Sequence, residues 1–328
     1  MPMGSVNYMP QGEQVKNGKA FEYSLAYQYY YGLQSIGKNV ELVESSALNV
    51  ARDFYNSFSP EKREEFDIAA RQTIDTMLKI EPGLLAQKNG SDKLFISLQN
   101  DSEGIAGDVR DIVFRRIRPT WEIGFSAKNN NDAVKHSRLS HILDFGKEWL
   151  DYPCSQQYWD EIRPIFSFLK ECEGQTFNSL GNDKVTKVYV PLLTAFREEL
   201  MRIYERNEKI PEKLIRYLIG NYAFYKIIKD DSHNLVIVKA FNINNELNKN
   251  VNGVKSLYKI PQINLPTRIV KFDFKVGAED NTLDMILDGG WEISFRIHNA
   301  SSRVEQSLKF DIRLLGNPPI LFTQHLFR

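Results

Sequence analysis

The chain has 328 residues, and its 42 Lys and Arg balance 42 Asp and Glu. A hydrophobic content of 42% is ordinary for a globular protein of one large or two modest domains, and no apolar run approaches a membrane span. Two cysteines, Cys154 and Cys172, are too few for a disulfide framework or a Cys-based zinc site, and no secretory signal is visible. We therefore expect a cytoplasmic protein. No Gly-rich phosphate loop is present, which argues against an ATP- or NAD-driven activity.

The first two thirds of the chain predict helices around a group of antiparallel strands. Residues 1–14 are expected to be a flexible leader. Helices are predicted at 17–36, 41–58, 60–80, 187–206 and 211–219, and 133–172 is expected to be largely helical with breaks at Pro153 and Pro164. Strands are predicted at 93–98, 111–117 and 121–128, and the last two flank a turn containing Pro119. This order predicts an α/β core over residues 15–221.

From about residue 222 the pattern changes to short strands. They are predicted at 224–229, 235–241, 267–276, 282–287, 291–298 and 309–315, with an Asn- and Lys-rich loop at 243–259. We therefore expect a β-rich portion over residues 222–328. In its strand at 291–298, Arg296 and His298 alternate with apolar residues and are predicted to lie on the polar face.

Asp111 and Lys128 lie at the same end of the predicted hairpin. With a turn centred near Pro119, position 111 falls opposite 127 or 128, and directly opposed residues share a face of the sheet. An Asp can hold a divalent cation, and a neighbouring Lys can act on the attacked phosphate or the attacking water. The pair therefore predicts a metal-dependent phosphodiesterase site.

The strand that carries Lys128 departs from the usual pattern of such sites. Nucleases of the PD-(D/E)XK type place an acid two residues before the Lys, and here that position is Ser126. Glu122 shares the face but lies roughly 20 Å along the strand from Lys128. The second carboxylate must come from elsewhere, and Glu22 and Asp108 are the candidates.

Basic residues follow the hairpin. Residues 110–138 contain seven Lys or Arg and three acids, which suits a polyanionic substrate. Asn130 lies in an Asn-rich turn, and Asp132 is a predicted N-cap. Lys135, His136 and Arg138 would then lie in the first turns of a helix as candidate DNA contacts, with Lys135 and Arg138 binding phosphates. Arg296 is of the residue type that reads guanine in the major groove.

Three segments resemble type II restriction endonucleases of the HaeIII type. They are the run 121–140, from Trp-Glu-Ile-Gly-Phe-Ser-Ala-Lys to Ser-Arg-Leu-Ser, the run Asn-Gly-Lys-Ala-Phe-Glu-Tyr at 17–23, and the run at 294–310 that includes Arg303. The resemblance covers roughly residues 15–320. It implies a PD-(D/E)XK nuclease, with a mixed sheet flanked by helices, that needs Mg²⁺ and cuts duplex DNA within GGCC to leave blunt ends.

The resemblance also implies roles for particular residues. Asp111 and Lys128 take the metal-binding and catalytic roles, and Ser126 is counted with them as a candidate catalytic residue. Asn130, His298 and Arg303 join the basic residues above as candidate DNA contacts. A DNA methyltransferase acting in the same system and a homodimer are the implied partners, with the β-rich portion as the region for DNA recognition.

Two other interpretations remain open. One is a repair nuclease with the same core that recognises DNA structure rather than sequence. The other is a non-catalytic DNA-binding protein that has lost its nuclease site, as Ser126 in place of the usual second acid would indicate. Incubation of plasmid DNA with and without Mg²⁺ separates the three, because they give discrete fragments, smears and no cleavage respectively.

Overall fold

The computed structural model describes residues 11–87, 90, 92–100, 107–130, 133–299 and 301–328, with the backbone alone at 11 and 133–136. These residues fall into two compact units, each built from separated segments of the chain. The first unit takes residues from Met1–Asn131, Tyr222–Ile263 and Ile320–Arg328. The second takes residues from Asp132–Asn221 and Asn264–Pro319. Residue 222, where a β-rich portion was predicted to begin, is one of several points at which the chain passes from one unit to the other.

The first unit is a mixed seven-stranded sheet with helices. The helices are α1 (Gln11–Ser35), α2 (Ser46–Asn56) and α3 (Pro60–Ile80). The strands are β1 (Val40–Leu42), β2 (Leu94–Leu98), β3 (Ile112–Arg116), β4 (Trp121–Asn129), β6 (Phe224–Asp230), β7 (Leu235–Phe241) and β12 (Thr323–Phe327). They lie in the order β1-β2-β3-β4-β6-β7-β12, and β4 pairs with β6 in parallel. The predicted α/β class with a mixed sheet is confirmed.

Aromatic packing fixes α1 against the central strands. The ring of Tyr29 lies 5.3 Å from that of Phe114 on β3 and 5.2 Å from that of Phe125 on β4. The buried Tyr29 hydroxyl is paired with Thr73 of α3 at 2.8 Å. A buried hydroxyl with a partner avoids a desolvation cost, so this contact fixes the helix as well as covering the sheet. The position of α1 matters because it also carries Glu22.

The second unit is an antiparallel five-stranded sheet with helices. The helices are α4 (Phe145–Leu150), α5 (Gln156–Glu171), α6 (Val190–Arg206) and α7 (Ile210–Ile219), with a π-helical turn at Lys184–Tyr189. The strands are β5 (Ala133–Ser140), β8 (Ile269–Phe274), β9 (Thr282–Leu287), β10 (Glu292–Asn299) and β11 (Ser307–Gly316), in the order β5-β11-β10-β9-β8. Phe196 of α6 packs on Phe295 and Phe310, so one face of the sheet is the core of this unit.

The largest error of the sequence prediction lies after the hairpin. Residues 133–140 form strand β5, paired with β11, and do not begin a helix. Buried Ser137 and Leu139 alternate with exposed Arg138, which is the period of a strand. Pairing with a strand distant in sequence overrode the local start signal. Asp132, the predicted N-cap, lies outside the described residues.

Smaller differences concern the ends of elements. The predicted helix at 41–58 is a short strand followed by α2, which begins after Ser45, whose side chain accepts from the Leu48 N–H. Helix α5 continues through Pro164 instead of breaking there. Helix α1 begins at Gln11, inside the predicted leader, whose first ten residues lie outside the description. Among the residues that are described, no helix is long and apolar enough to cross a membrane.

Candidate active site

Asp111 lies directly before β3 and is fixed by the hairpin ladder. Its N–H donates to the Phe125 carbonyl at 2.7 Å. The register pairs Ile112 with Phe125, which sets Asp111 opposite Ser126 rather than opposite 127 or 128 as predicted. The turn is centred slightly before Pro119, so the register moves toward the N-terminal end of β4. Asp111 nonetheless remains at the Lys128 end of the hairpin.

The structure brings Asp111 and Lys128 together. Lys128 Nζ lies 3.5 Å from Asp111 Oδ2. The same oxygen accepts from the Ala127 N–H at 2.7 Å and from the Ser126 hydroxyl at 3.3 Å. Ser126 is buried, and its side chain fixes Asp111 without adding a charge. The residue in the place of the usual second acid therefore positions the first one.

Glu22 reaches the same site from α1. Its side chain is only 8% exposed and receives Lys19 Nζ at 3.0 Å. Burial first, and the negative charge of Asp111 second, raise the pKa of Glu22 to about 8, while Lys19 and Lys128 oppose the shift. Two carboxylates and Lys128 thus influence one another electrostatically. Glu22, carried by a helix that packs on the sheet, is therefore a candidate for the second carboxylate.

Asp108, the other candidate for the second carboxylate, is engaged by Arg110. Arg110 Nε donates to Asp108 Oδ1 at 2.8 Å, and Nη2 donates to Oδ2 at 2.7 Å. Gln99 Nε2 also donates to Oδ2 at 2.9 Å. Burial would raise the pKa of Asp108, but the hydrogen bonds from Arg110 and Gln99 hold it below its usual value. This geometry favours Glu22 over Asp108 as a partner of Asp111.

Glu122 is also bound by Arg110, which thereby connects it to Asp108. Its Oε1 accepts from Arg110 Nη1 at 2.8 Å, so its carboxylate is turned to Arg110. Arg110 also stacks on Tyr222, with the guanidinium carbon 4.3 Å from the ring centroid. Gly124 makes room for this side chain, because a Cβ there would lie 2.1 Å from Arg110 Cδ. The network holds the chain immediately before Asp111.

Sequence reasoning missed three basic residues near the site. Lys19 lies one helical turn before Glu22, a spacing that does predict an ion pair. Arg110 follows Asp108 at a spacing that carries no such signal. Lys226 of β6 is the buried register partner of Ser126, and only the parallel pairing of β4 with β6 reveals its place.

The donor set fits a hard divalent cation. Asp111 and Glu22 supply carboxylate oxygens, the ligands that Mg²⁺ prefers, and Mg²⁺ usually keeps several waters beside one or two carboxylates. The effect of Asp111 on the pKa of Glu22 shows like charges opposing each other, which a cation would relieve. Within the described part of the chain, no group of three or more His, Cys, Asp and Glu residues forms a metal site.

Most candidate DNA contacts lie in the second unit, and Arg138, Arg296 and His298 are on the polar side of its sheet. Arg138, Lys309 and His298 are consecutive register partners across β5, β11 and β10. Arg296 is exposed in the next row, beside Asp311. Arg303 is exposed after β10. The backbones of Lys135 and His136 lie in β5, and their side chains are outside the description.

Asn130 differs from those candidates because its side chain is already engaged. It lies in the first unit, and both polar atoms of its amide are hydrogen-bonded to Asp231.

Comparison with known proteins identifies the family of this chain. The family model described as HaeIII restriction endonuclease matches residues 18–318. A relative, "Type II restriction enzyme HaeIII" of Haemophilus aegyptius, is 38% identical over 305 residues, which cover 92% of this chain and 94% of the relative. No solved structure matches the chain. The fold and the family together define a restriction endonuclease, a hydrolase that binds DNA. The chain belongs to the HaeIII restriction endonuclease family.

Proposed function

We propose that the chain cuts duplex DNA at a short palindrome by Mg²⁺-dependent hydrolysis of a phosphodiester. The observation that carries this proposal is the contact of Lys128 Nζ with Asp111 Oδ2 at 3.5 Å, with Glu22 in the same electrostatic environment. The likeness to the HaeIII type supports GGCC as the site and blunt ends as the product. A decayed site is disfavoured, because the acid and the lysine are in contact and Ser126 reinforces them.

Each site residue has a distinct part in the proposed reaction. Asp111 and Glu22 would hold Mg²⁺, which when bound stabilises charge developing on the phosphate oxygens. Lys128 lies where its ammonium can donate to a phosphate oxygen or orient the attacking water. The Ala127 N–H and the Ser126 hydroxyl fix one oxygen of Asp111, so its carboxylate is presented in a single orientation.

Recognition of DNA is assigned to the second unit. Arg138, Arg296, His298 and Arg303 are proposed contacts, together with Lys135 and His136 of β5. A GC-only site calls for donors to guanine O6 and N7, which the exposed Arg296 could supply. A palindromic site has twofold symmetry, so we propose that two copies act together. A methyltransferase protecting the same site would be the functional partner, in the cytoplasm where the host DNA lies.

A plasmid digest tests the proposal. Purified protein is incubated with plasmid DNA with Mg²⁺ and, separately, with EDTA, and the fragment ends are sequenced. We expect discrete fragments ending in blunt GG and CC halves, with Mg²⁺ only, and no fragments from plasmid methylated at GGCC. Smeared products would favour the structure-specific nuclease, and intact plasmid would favour the non-catalytic DNA-binding protein.

A further inference from the structure

Asn130 joins the end of β4 to the loop that follows β6. Its backbone is left-handed, with φ of 55°. Its Oδ1 accepts from the Asp231 N–H at 2.8 Å, and its Nδ2 donates to Asp231 Oδ2 at 2.7 Å. Its own N–H donates to the Lys229 carbonyl at 2.8 Å. Three hydrogen bonds therefore tie the end of one strand to the end of its parallel neighbour.

Asp231 is itself held in place by two cations. Lys229, whose side chain is fully buried, donates its Nζ to Asp231 Oδ1. Arg328 Nη2 lies 2.8 Å from the same oxygen and also donates to the Asp230 carbonyl at 3.0 Å. Burial would raise the pKa of Asp231, but hydrogen bonds from Lys229 and Asn130 hold it far below its usual value. Asp231 is therefore an ionised anchor with three polar partners, Asn130, Lys229 and Arg328.

We propose that Asn130 is a positioning residue of the nuclease site, which fixes the end of β4 and thereby the direction of the Lys128 side chain. This inference rests on the proposed function. Lys128 lies two residues before Asn130 and pairs with Ile228 of β6, and the ladder ends at the next pair, Asn129 with Lys229. Beyond that ladder, the Asn130–Asp231 pair closes the strand end. Without this pair the last residues of β4 would be free to fray, and the Lys128 side chain would no longer be held beside Asp111.

The proposal changes the role predicted for Asn130 from its sequence. An amide that reads a base must present its donor and acceptor to the DNA, as Asn does with adenine. Here both are hydrogen-bonded to Asp231, which is itself held by Lys229 and Arg328. Asn130 therefore acts through Lys128 and not on the DNA.

Replacing Asn130 by glycine gives a sharp test. Glycine adopts a positive φ at no steric cost, so Asn130→Gly removes the side-chain bonds while keeping the backbone conformation. Asn245→Gly is the matched control, because Asn245 also has φ of 55° and is exposed in the same unit. The readouts are the single-turnover cleavage rate at saturating DNA with Mg²⁺, and the dissociation constant for GGCC duplex measured without Mg²⁺.

We expect Asn130→Gly to cut about 10- to 100-fold more slowly, the scale for groups that orient a catalytic residue. Its affinity for GGCC duplex should be unchanged, and Asn245→Gly should match wild type in both readouts. Asn130→Asp should also cut slowly, since two carboxylates would then face each other. Adding Asp231→Asn to it restores one donor and one acceptor across the pair, so the double variant should recover much of the rate.

Two results would overturn the inference. An unchanged rate for Asn130→Gly would mean that the pair does not guide Lys128. A loss of affinity for GGCC duplex, with or without a slower rate, would place Asn130 in the DNA interface instead. Failure of the proposed function is seen separately, as a wild-type protein that does not cleave or a Lys128→Ala variant that cleaves normally.

Discussion

Neutralising Glu22 should impair catalysis far more than neutralising Glu122. Glu22 shares its electrostatic environment with Asp111 and Lys128, whereas Glu122 is hydrogen-bonded to Arg110. Glu22→Gln removes one of two carboxylates available to a cation, so we expect the cleavage rate to fall by at least ~10²-fold, the loss seen for one electrostatic stabiliser. That corresponds to about 2.7 kcal/mol of activation free energy. Glu122→Gln should stay within about tenfold of wild type, since it acts only through a neighbour.

The assay is single-turnover cleavage of a GGCC duplex over a range of Mg²⁺ concentrations. Glu22→Gln should need more Mg²⁺ as well as cut more slowly, and Glu122→Gln should keep the wild-type Mg²⁺ dependence. Thermal unfolding controls for folding, and because Glu22 is buried, a neutral amide there should not lower the melting temperature. Equal effects of the two variants, or the reverse ranking, would refute the assignment of Glu22 as the second carboxylate.

Three other substitutions test the site, and a fourth tests the core. Lys128→Ala should abolish cleavage but keep affinity for GGCC duplex in a binding assay, since the lysine acts on phosphate and water. Asp111→Asn should lose cleavage at every Mg²⁺ concentration, because an amide is a poor ligand for a hard cation. Gly124→Ala should cost about 1–3 kcal/mol in urea unfolding, as its Cβ would overlap Arg110; an unchanged midpoint would contradict that packing. Burial raises the pKa of Glu81 from 4.5 to about 7. The contribution of Glu81 to the free energy of unfolding should therefore be largest below pH 4.5, where Glu81 is protonated, and should be lost as the pH rises to about 7. This contribution should fall by about 3 kcal/mol over this range. Glu81→Gln should remove this pH dependence, as measured by unfolding curves at pH 5 and pH 8.

The Asp111–Lys128 contact was predictable even though the register was not. A hairpin keeps the start of one strand and the end of the next together, whether the turn is centred at Pro119 or slightly before it. The absence of an acid near Lys128 on β4 left Glu22 and Asp108 as candidates for the second carboxylate. The sequence could not decide between Glu22 and Asp108, because the bidentate contact of Asp108 with Arg110 depends on side-chain packing.

Features that depend on distant pairing were not predictable. Strand β5 follows turn residues that also begin helices, and its partner β11 lies far along the chain. The parallel pairing of β6 with β4 brings Lys226 and Asp231 toward the site, and no local sequence pattern predicts this pairing. Local sequence patterns predicted whether most elements are helices or strands, but they did not predict which strands pair with each other.

The segmented construction of the first unit has a consequence for the newly synthesised protein. The hairpin with Asp111 and Lys128 emerges from the ribosome well before β6, which begins at Phe224, and β12 completes the sheet only at Phe327. Domains generally fold as units, and a chain grows at about 5–20 residues per second. The nascent polypeptide thus carries Asp111 and Lys128, the proposed catalytic residues, for some seconds before the rest of the sheet that aligns them is synthesised. Competence to cut DNA should therefore arise only after Phe327 has been synthesised.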